Sequence, residues 1–251
     1  MSLVLFERVQ EGEERYVDWL LSGLGWTLTL AIIGWCLAFI IGVVVGSGRT
    51  SRHRGIAIAS RLYVEVFRNI PVIVQMFLWY FVLPEVLPKD LGDAYKKISP
   101  PWGSFVPALM GLSLYTAARV AEQVRAGIEA LPPGQLEAAK ALGMTELQSY
   151  RLVLLPQALR IITPTLTSEV MGIFKNTSVA LTIGLLELTA QARQINEFTF
   201  QTFQAFGSAT IIYLILALAV YGVMHWLEAR YRTPGLEPAR PDRRLAKKEA
   251  R

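Results

Sequence analysis

Two stretches of this 251-residue chain contain no Asp, Glu, Lys or Arg, at residues 19–48 and 198–227. Each is longer than the about 20 residues with which an α-helix crosses the hydrocarbon core of a bilayer. Backbone polar groups find no water in that core and must bond within the helix, so both stretches are predicted to be transmembrane helices. A composition of 53% hydrophobic and 18% charged residues is also outside the usual range of soluble domains.

Three further spans are predicted from apolar segments that are shorter or interrupted by charge. The uncharged segment Ile70–Pro84 is too short to cross at about 1.5 Å per residue, so its helix is expected to begin near Ser60. The sequence thus predicts an all-α integral membrane protein with five transmembrane helices, at about residues 24–48, 60–84, 104–127, 165–186 and 206–228.

The distribution of basic residues predicts the orientation of these spans. Segments on one side hold 17 Lys and Arg residues, against six on the other side. Cytoplasmic segments carry the excess, so the N-terminus is expected outside and the C-terminus in the cytoplasm. Residues 1–20 then form a periplasmic segment, 128–164 a cytoplasmic loop and 229–251 a basic cytoplasmic tail. Because this tail directly follows a membrane helix, the net charge of +5 requires no nucleic-acid partner.

The loop 128–164 is too regular for an unstructured connection. Prolines after Leu131 are expected to end the preceding helix, and strong helix formers follow over residues 135–142. Gly143 is expected to bend the chain, and a second helical run from Glu146 is expected to close at Pro156. On this pattern alone, a solvated connector of two short helices accounts for the loop.

The same loop resembles the EAA motif of ABC importer permeases. Glu137 is followed by two alanines and, six residues on, by Gly143, and Val153 takes the isoleucine position before the Leu155-Pro156 pair. The resemblance implies a type I importer transmembrane domain whose short coupling helix sits on a cytoplasmic ATPase. The coupling residues it implies are Gln135, Glu137, Ala138, Ala139, Gly143, Met144 and Pro156.

No G-x-x-x-x-G-K-[ST] phosphate-binding motif occurs in the chain. We therefore expect the chain to be no enzyme by itself and to bind no cofactor, ATP and Mg being used by the partner ATPase. His53 and His225 are isolated and lack metal-ligand spacing, so no catalytic or metal site is predicted.

Three further segments resemble the histidine/glutamine/glutamate group of these permeases: Gly23 with Thr27, residues 65–75, and Lys175–Ser178. The resemblance implies a multi-pass protein of the bacterial inner membrane. Its partners would be a homologous second permease, in a homo- or heterodimer, two cytoplasmic ATPase subunits and a periplasmic or extracellular amino-acid-binding protein.

Two departures from that group bear on the cargo. Arg119 stands where many members have tyrosine, and Asn176 where many have aspartate. Both departures make the centre of the translocation pathway less negative, as the passage of an anionic side chain would require. In this respect the chain resembles the glutamate/aspartate branch of the group. The substrate-pathway candidates are Arg119, Glu122, Lys175, Asn176 and Ser178.

Structural alternatives remain open for these charges. Glu122 could pair with Arg119 or with Arg125, each three residues away in the same helix, while Lys175 could pair with Glu169. As an alternative, the importer could carry neutral or basic polar amino acids. An ion-coupled transporter or channel would use the same charges as a relay, but the sequence has no evident inverted repeat and carries the coupling motif.

Overall fold

The computed structural model describes residues 15–231, and every regular element in that range is helical. Two π-helices, Leu78–Val82 and Tyr150–Leu154, and a 3-10 helix, Thr177–Ile183, connect some of the α-helices. The α-helices of residues 15–231 are α1 (Tyr16–Arg49), α2 (Arg54–Asn69), α3 (Val72–Phe77), α4 (Leu83–Val86), α5 (Lys89–Lys96), α6 (Trp102–Glu129), α7 (Gln135–Ala141), α8 (Glu146–Ser149), α9 (Leu155–Asn176), α10 (Leu188–Thr199) and α11 (Thr202–Tyr231).

The predicted terminal segments are mostly outside this range. Residues 1–14 of the expected periplasmic segment and residues 232–251 of the expected basic tail lie outside the described residues.

Three helices of residues 15–231 are long and apolar enough to cross a membrane: Tyr16–Arg49, Trp102–Glu129 and Thr202–Arg230. A bent pair of helices brings the number to four if the pair is one span. Helix α9 has 22 residues and therefore sufficient length, but Arg160, Glu169 and Lys175 make it more polar than these. The count of five spans stays a prediction.

The expectation of one continuous helix over 60–84 is wrong. The chain forms α2 and then a second helical segment, Val72–Val86, bent from it by 103°. Pro71 has no backbone N–H to continue α2, and Ile70 before it is extended. The Gln75 side chain donates hydrogen bonds to the carbonyl oxygens of Phe67, at 2.7 Å, and Ile70, at 3.0 Å. Gln75 thereby satisfies backbone acceptors that the break leaves free.

The prediction that Pro156 closes a helix is also wrong. Pro156 lies in the first turn of α9, and the chain is helical from Glu146 to Asn176. The π-helix Tyr150–Leu154 ends two residues before this proline, just as Leu78–Val82 ends two residues before Pro84 in the first turn of α4. A proline inside a helical run cannot donate a hydrogen bond to the preceding turn and its ring crowds that turn, and the wider π-turn before it accommodates both effects.

Helix α1 packs along α6 through small side chains. Ala31, Gly34, Ala38, Gly42 and Gly46 recur every three or four residues and are buried on one face of α1. A Cβ atom built on Gly46 would lie 2.6 Å from the carbonyl oxygen of Ala121 in α6. Helices in bilayers associate through such small residues because lipid tails remove the hydrophobic driving force between them. The contact surface of the two helices therefore requires glycine at this position.

A helix absent from the sequence prediction, α10, connects the end of the α9 segment with α11. The buried Glu187 caps its N-terminus, accepting hydrogen bonds from the backbone N–H of Thr189, at 3.0 Å, and Ala190, at 2.8 Å. The hydroxyl of Tyr213 in α11 donates to the same carboxylate at 2.8 Å. These bonds tie α10 to α11.

The Gly23–Thr27 segment of α1 packs against the start of α10. The Thr27 hydroxyl accepts a hydrogen bond from the backbone N–H of Leu188 at 3.2 Å. A Cβ atom on Gly23 would lie 2.9 Å from Leu188 Cα, which is too close for any other residue without a shift of backbone. This segment of the family resemblance is therefore explained by close packing of α1 against α10.

Replacing Gly46 with valine is expected to push α1 away from α6, because the added side chain would meet the Ala121 backbone and the Val124 side chain. We expect a loss of about 1–3 kcal/mol in unfolding free energy, the usual cost of overpacking a well-packed site. Gly25→Val is the matched control, since no atom lies within 4 Å of a Cβ built on Gly25. Equal thermal stability of the two variants in detergent would contradict the packing argument.

Candidate functional site

An ion pair between α6 and α9 lies within the helical bundle. The Nε of Arg119 is 2.6 Å from Glu169 Oε2, and its Nη2 is 3.0 Å from Oε1, so the guanidinium binds the carboxylate through two parallel bonds. Gln123, one turn further along α6, donates a third hydrogen bond to Glu169 at 2.8 Å. The Glu169 side chain is 8% exposed and that of Arg119 is 44% exposed. The anion is thus enclosed, while the cation keeps an open side.

That open side is the Nη1 edge of the guanidinium. Its hydrogen-bond partner is the hydroxyl of Tyr115, at 3.5 Å, and the cation lies 5.9 Å from the centre of the same ring. A guanidinium has five N–H donors, of which Glu169 takes two. Arg119 therefore retains donors for a further oxygen ligand.

Glu122 belongs to a different group of charges: of its two predicted partners, Arg119 binds Glu169 instead, and the pair with Arg125 is confirmed. Glu122 contacts Arg49 at the end of α1 and also accepts bonds from Arg125, at 3.1 Å from Nε and 2.6 Å from Nη2. Arg125 also contacts Glu129. These half-buried charges join the ends of α1 and α6, whereas Arg119 faces α9.

The other pathway candidates lie at the end of α9. Lys175 and Ser178 line an open, mostly apolar cavity of about 730 Å³ between α9 and α11. Ser178 donates to the carbonyl oxygen of Lys175 at 2.8 Å, and Asn176 is half-buried at the last position of α9. Among residues 15–231 no carboxylate lies within 4.0 Å of Lys175, so the expected pair with Glu169 does not form either.

The corner between α7 and α8 is built by local backbone bonds. Gly143 has φ +83°, in the left-handed region that favours glycine. Its N–H donates to Lys140 O at 2.9 Å and that of Met144 donates to Ala139 O at 3.1 Å, which together form a Schellman motif. The Thr145 hydroxyl and the Gln148 side chain then cap α8 reciprocally. The bend predicted at Gly143 is present, with a fixed geometry.

The corner presents a surface of small and apolar side chains. Ala139 is buried, whereas Ala138 is exposed, and Leu142 and Leu147 are 78% and 77% exposed. Exposed apolar side chains contribute to an interface where they form a contiguous patch, and these two leucines lie on either side of the bend at Gly143. Gln135 exchanges two side-chain hydrogen bonds with Gln157 of α9, at 3.2 and 3.0 Å. Pro156 is exposed in the first turn of α9.

Some of these positions escaped the sequence prediction. The Thr145–Gln148 cap has a local signal, the T-x-x-Q spacing of a capping box. The hydrogen bond from Gln123 to Glu169 has no such signal, since 46 residues separate the two. No three His, Cys, Asp or Glu side chains within residues 15–231 are placed to hold a metal ion.

Bilayer-length apolar helices, an ion pair between one of them and the more polar α9, and a helical corner with an exposed apolar surface are the organisation of a membrane permease. The chain belongs to the family of binding-protein-dependent transport system inner membrane components, whose family model matches residues 38–233.

Within this family, the chain is similar to permeases for amino acids. The glutamate/aspartate import permease protein GltJ of Escherichia coli K12 is 41% identical over 233 residues, covering 92% of this chain and 95% of that protein. The histidine/lysine/arginine/ornithine transport system permease protein HisM of Salmonella typhimurium is 30% identical, covering 84% and 88%. A crystal structure of an amino acid ABC transporter with histidines matches with a TM-score of 0.71 and 31% identity, covering 86% of this chain and 95% of that chain.

The protein is therefore an amino-acid ABC importer permease with the type I fold. Such a permease is not itself an enzyme, and the ATPase resides in a partner subunit. The sequence-based recognition of the family is confirmed.

Replacing Glu169 with alanine is expected to destabilise the protein, because Arg119 and Gln123 lose their shared acceptor. Arg119 is partly exposed, so we expect about 2 kcal/mol rather than the about 3–5 kcal/mol of a fully buried pair. Glu197→Ala is the control, since the Arg193–Glu197 pair is exposed on both sides and is expected to contribute about 0–1 kcal/mol. Thermal unfolding in detergent measures both, and equal losses would refute the structural role of the enclosed pair.

Proposed function

We propose that this chain is one half of the translocation pathway of an importer for acidic amino acids, glutamate or aspartate. It lies in the bacterial inner membrane with five spans, its N-terminus outside and its C-terminus in the cytoplasm. It works with a homologous second permease, two cytoplasmic ATPase subunits that use ATP and Mg, and an external amino-acid-binding protein. The chain itself binds no cofactor.

The observation that carries the cargo proposal is the open edge of Arg119. Its counter-ion Glu169 is enclosed and already accepts three hydrogen bonds, so a passing anion meets the cation first. A carboxylate of the cargo is a suitable ligand for the remaining N–H donors. Glu169 also compensates the cost of placing an arginine inside the membrane, because it keeps the pair neutral.

The relatives support the acidic cargo without fixing it. The 41% identity to a glutamate/aspartate permease exceeds the 30% identity to a permease for histidine, lysine, arginine and ornithine. Other amino-acid permeases lie between them, so the choice of cargo rests on Arg119. Lys175, Asn176 and Ser178 are proposed to continue the pathway at the end of α9. The position of Glu122, between Arg49 and Arg125, favours a structural role for that carboxylate.

The loop 128–164 is proposed to transmit the action of the ATPase. Its α7–α8 corner has a fixed bend, an exposed pair of leucines and small residues that permit close approach of another backbone. Gln135, Glu137, Ala138, Ala139, Gly143, Met144 and Pro156 are the proposed coupling residues. Because α8 runs into α9 without a break, a force on the corner would move α9 as a rigid body.

Exchanging the charges of the pair separates the pathway role of Arg119 from its packing role. In the double variant Arg119→Glu with Glu169→Arg, the ion pair is retained, but the partly exposed position 119 carries a negative instead of a positive charge. We expect the complex to assemble and glutamate uptake into proteoliposomes to fall at least tenfold, because like charges repel. The double variant Arg193→Glu with Glu197→Arg, an exposed pair in α10, should keep wild-type uptake. Normal uptake by the Arg119–Glu169 exchange would show that the pair serves packing alone.

The left-handed glycine of the corner tests the coupling role. Gly143→Ala strains the backbone at φ +83°, at a cost of about 1–2 kcal/mol, and is expected to displace the corner. Copurification of the ATPase should fall, with uptake falling in proportion. Gly55→Ala in α2 is the control, since a Cβ there meets nothing within 4 Å. Retention of the ATPase and of full uptake by the Gly143 variant would contradict the proposed interface.

A further inference from the structure

The turn between α1 and α2 makes contacts with the α7–α8 region at three consecutive residues. The Thr50 hydroxyl is 3.0 Å from the Tyr150 hydroxyl, and Tyr150 also donates to the Thr50 carbonyl oxygen at 2.8 Å. Ser51 donates to Glu146 at 3.4 Å, and Arg52 forms an ion pair with Glu137. Both short helices therefore contact this turn, from positions about 100 residues further along the chain.

Tyr150 makes the buried contact of this set. It begins the π-helix between α8 and α9, is 8% exposed and packs with Leu131 and Leu154. Its hydroxyl has the distances of well-formed hydrogen bonds. The Arg52–Glu137 pair is exposed on both sides, and exposed ion pairs contribute little. The connection between the turn and the loop thus depends mainly on the Tyr150 hydroxyl.

Helix α1 extends from this turn through the bundle. Its end is joined to α6 by the Arg49–Glu122 pair, and its first third packs against α10 at Gly23 and Thr27. Between these ends the small face of α1 follows α6 closely. Because α1 is one uninterrupted helix of 34 residues, a displacement of the turn reaches α10.

We propose that Tyr150 is a positioning residue that joins the coupling loop to α1. Motion of the α7–α8 corner is then transmitted along two helices, through the continuous α8–α9 segment and through the turn to α1. This inference rests on the proposed contact of the corner with the ATPase. Without the Tyr150 hydroxyl, the ATPase stays bound, but the motion of the ATPase is transmitted less completely to α1.

The test uses the full complex in proteoliposomes, with Tyr150→Phe, which keeps the ring and removes the hydroxyl. We expect normal copurification of the ATPase, basal hydrolysis within twofold of wild type, and at least a threefold rise in ATP hydrolysed per glutamate imported. The matched control is Tyr63→Phe, which removes a bond of the same kind, from the Tyr63 hydroxyl to Leu114 O at 2.9 Å, between α2 and α6. That variant should keep the wild-type ratio.

A second measurement follows α1 directly. Cys36 in α1 is the one cysteine of the sequence and is exposed, so it is the attachment point for an environment-sensitive dye, in a complex whose other subunits have had their cysteines replaced. ATP with vanadate is expected to change the fluorescence of the wild-type complex at least twofold more than that of the Tyr150→Phe complex. If Tyr150→Phe reduces the yield of folded complex, Thr50→Val replaces it in both measurements, with a smaller effect in the same direction.

The outcomes separate this inference from the function on which it rests. An unchanged ATP-to-glutamate ratio together with an unchanged Cys36 signal in Tyr150→Phe would overturn the role of Tyr150, while ATPase binding by the wild-type chain would leave the importer proposal intact. A wild-type chain that binds no ATPase would overturn both. A raised ratio in Tyr63→Phe equal to that in Tyr150→Phe would also overturn the inference, because any lost interhelical bond would then have the same effect.

Discussion

Close packing of α1 against α6 is the contact around which the other helices are arranged. In a bilayer the lipid tails are as apolar as the side chains, so helices gain little from hydrophobic burial and associate where their backbones approach closely. Gly42 and Gly46 permit that approach, and a Cβ on either would lie 2.6 Å from an atom of α6. With these two helices fixed, α9 packs on both: Gly34 of α1 faces Ile173, and Gly127 of α6 faces Ile162. The position of Arg119 relative to Glu169 follows from this arrangement.

The absence of water from the hydrocarbon core of the bilayer also explains how polar groups are distributed inside the bundle. A backbone acceptor freed by a broken helix has no water to bind, and Gln75 supplies its donor. The buried Glu187 is retained because backbone N–H groups and the Tyr213 hydroxyl surround it. Arg119 is tolerated because Glu169 faces it from the neighbouring helix. Arg119 differs from the other two in having donors left over, and for that reason the proposed contact with cargo is placed there.

The two functional regions are connected by continuous helices. The α7–α8 corner continues through a π-helix into α9, and α9 carries Glu169 and then Lys175. The α1–α2 turn contacts Tyr150, at the start of that π-helix, through Thr50, and it adjoins the end of α1, the helix that packs on α6. Under the proposed coupling, a displacement at the corner would reach Glu169 through α9 and Arg119 through the packing of α1 on α6. This geometry suits a permease whose energy comes from another subunit.

The sequence by itself determined the features that depend on local composition. Charge-free runs predicted α1 and α11, the small helix of the loop and its bend followed from helix formers and Gly143, and the EAA motif indicated the family. Local patterns misplaced two boundaries, because Pro71 bends a predicted span by 103° while Pro156 does not end a helix. Whether a proline breaks a helix depends on the backbone before it, which composition does not reveal.

Only the tertiary structure decided which charged and polar groups meet. Sequence spacing allowed Glu122 to pair with Arg119 or Arg125 and Lys175 to pair with Glu169, and only the Glu122–Arg125 pair forms. In the folded chain Arg119 binds Glu169, 50 residues away, and Tyr150 binds Thr50, 100 residues away. These partners are set by the rotation of each helix about its axis and by how closely α1 approaches α6. Those quantities depend on packing across the whole bundle, so no single segment of sequence contains them.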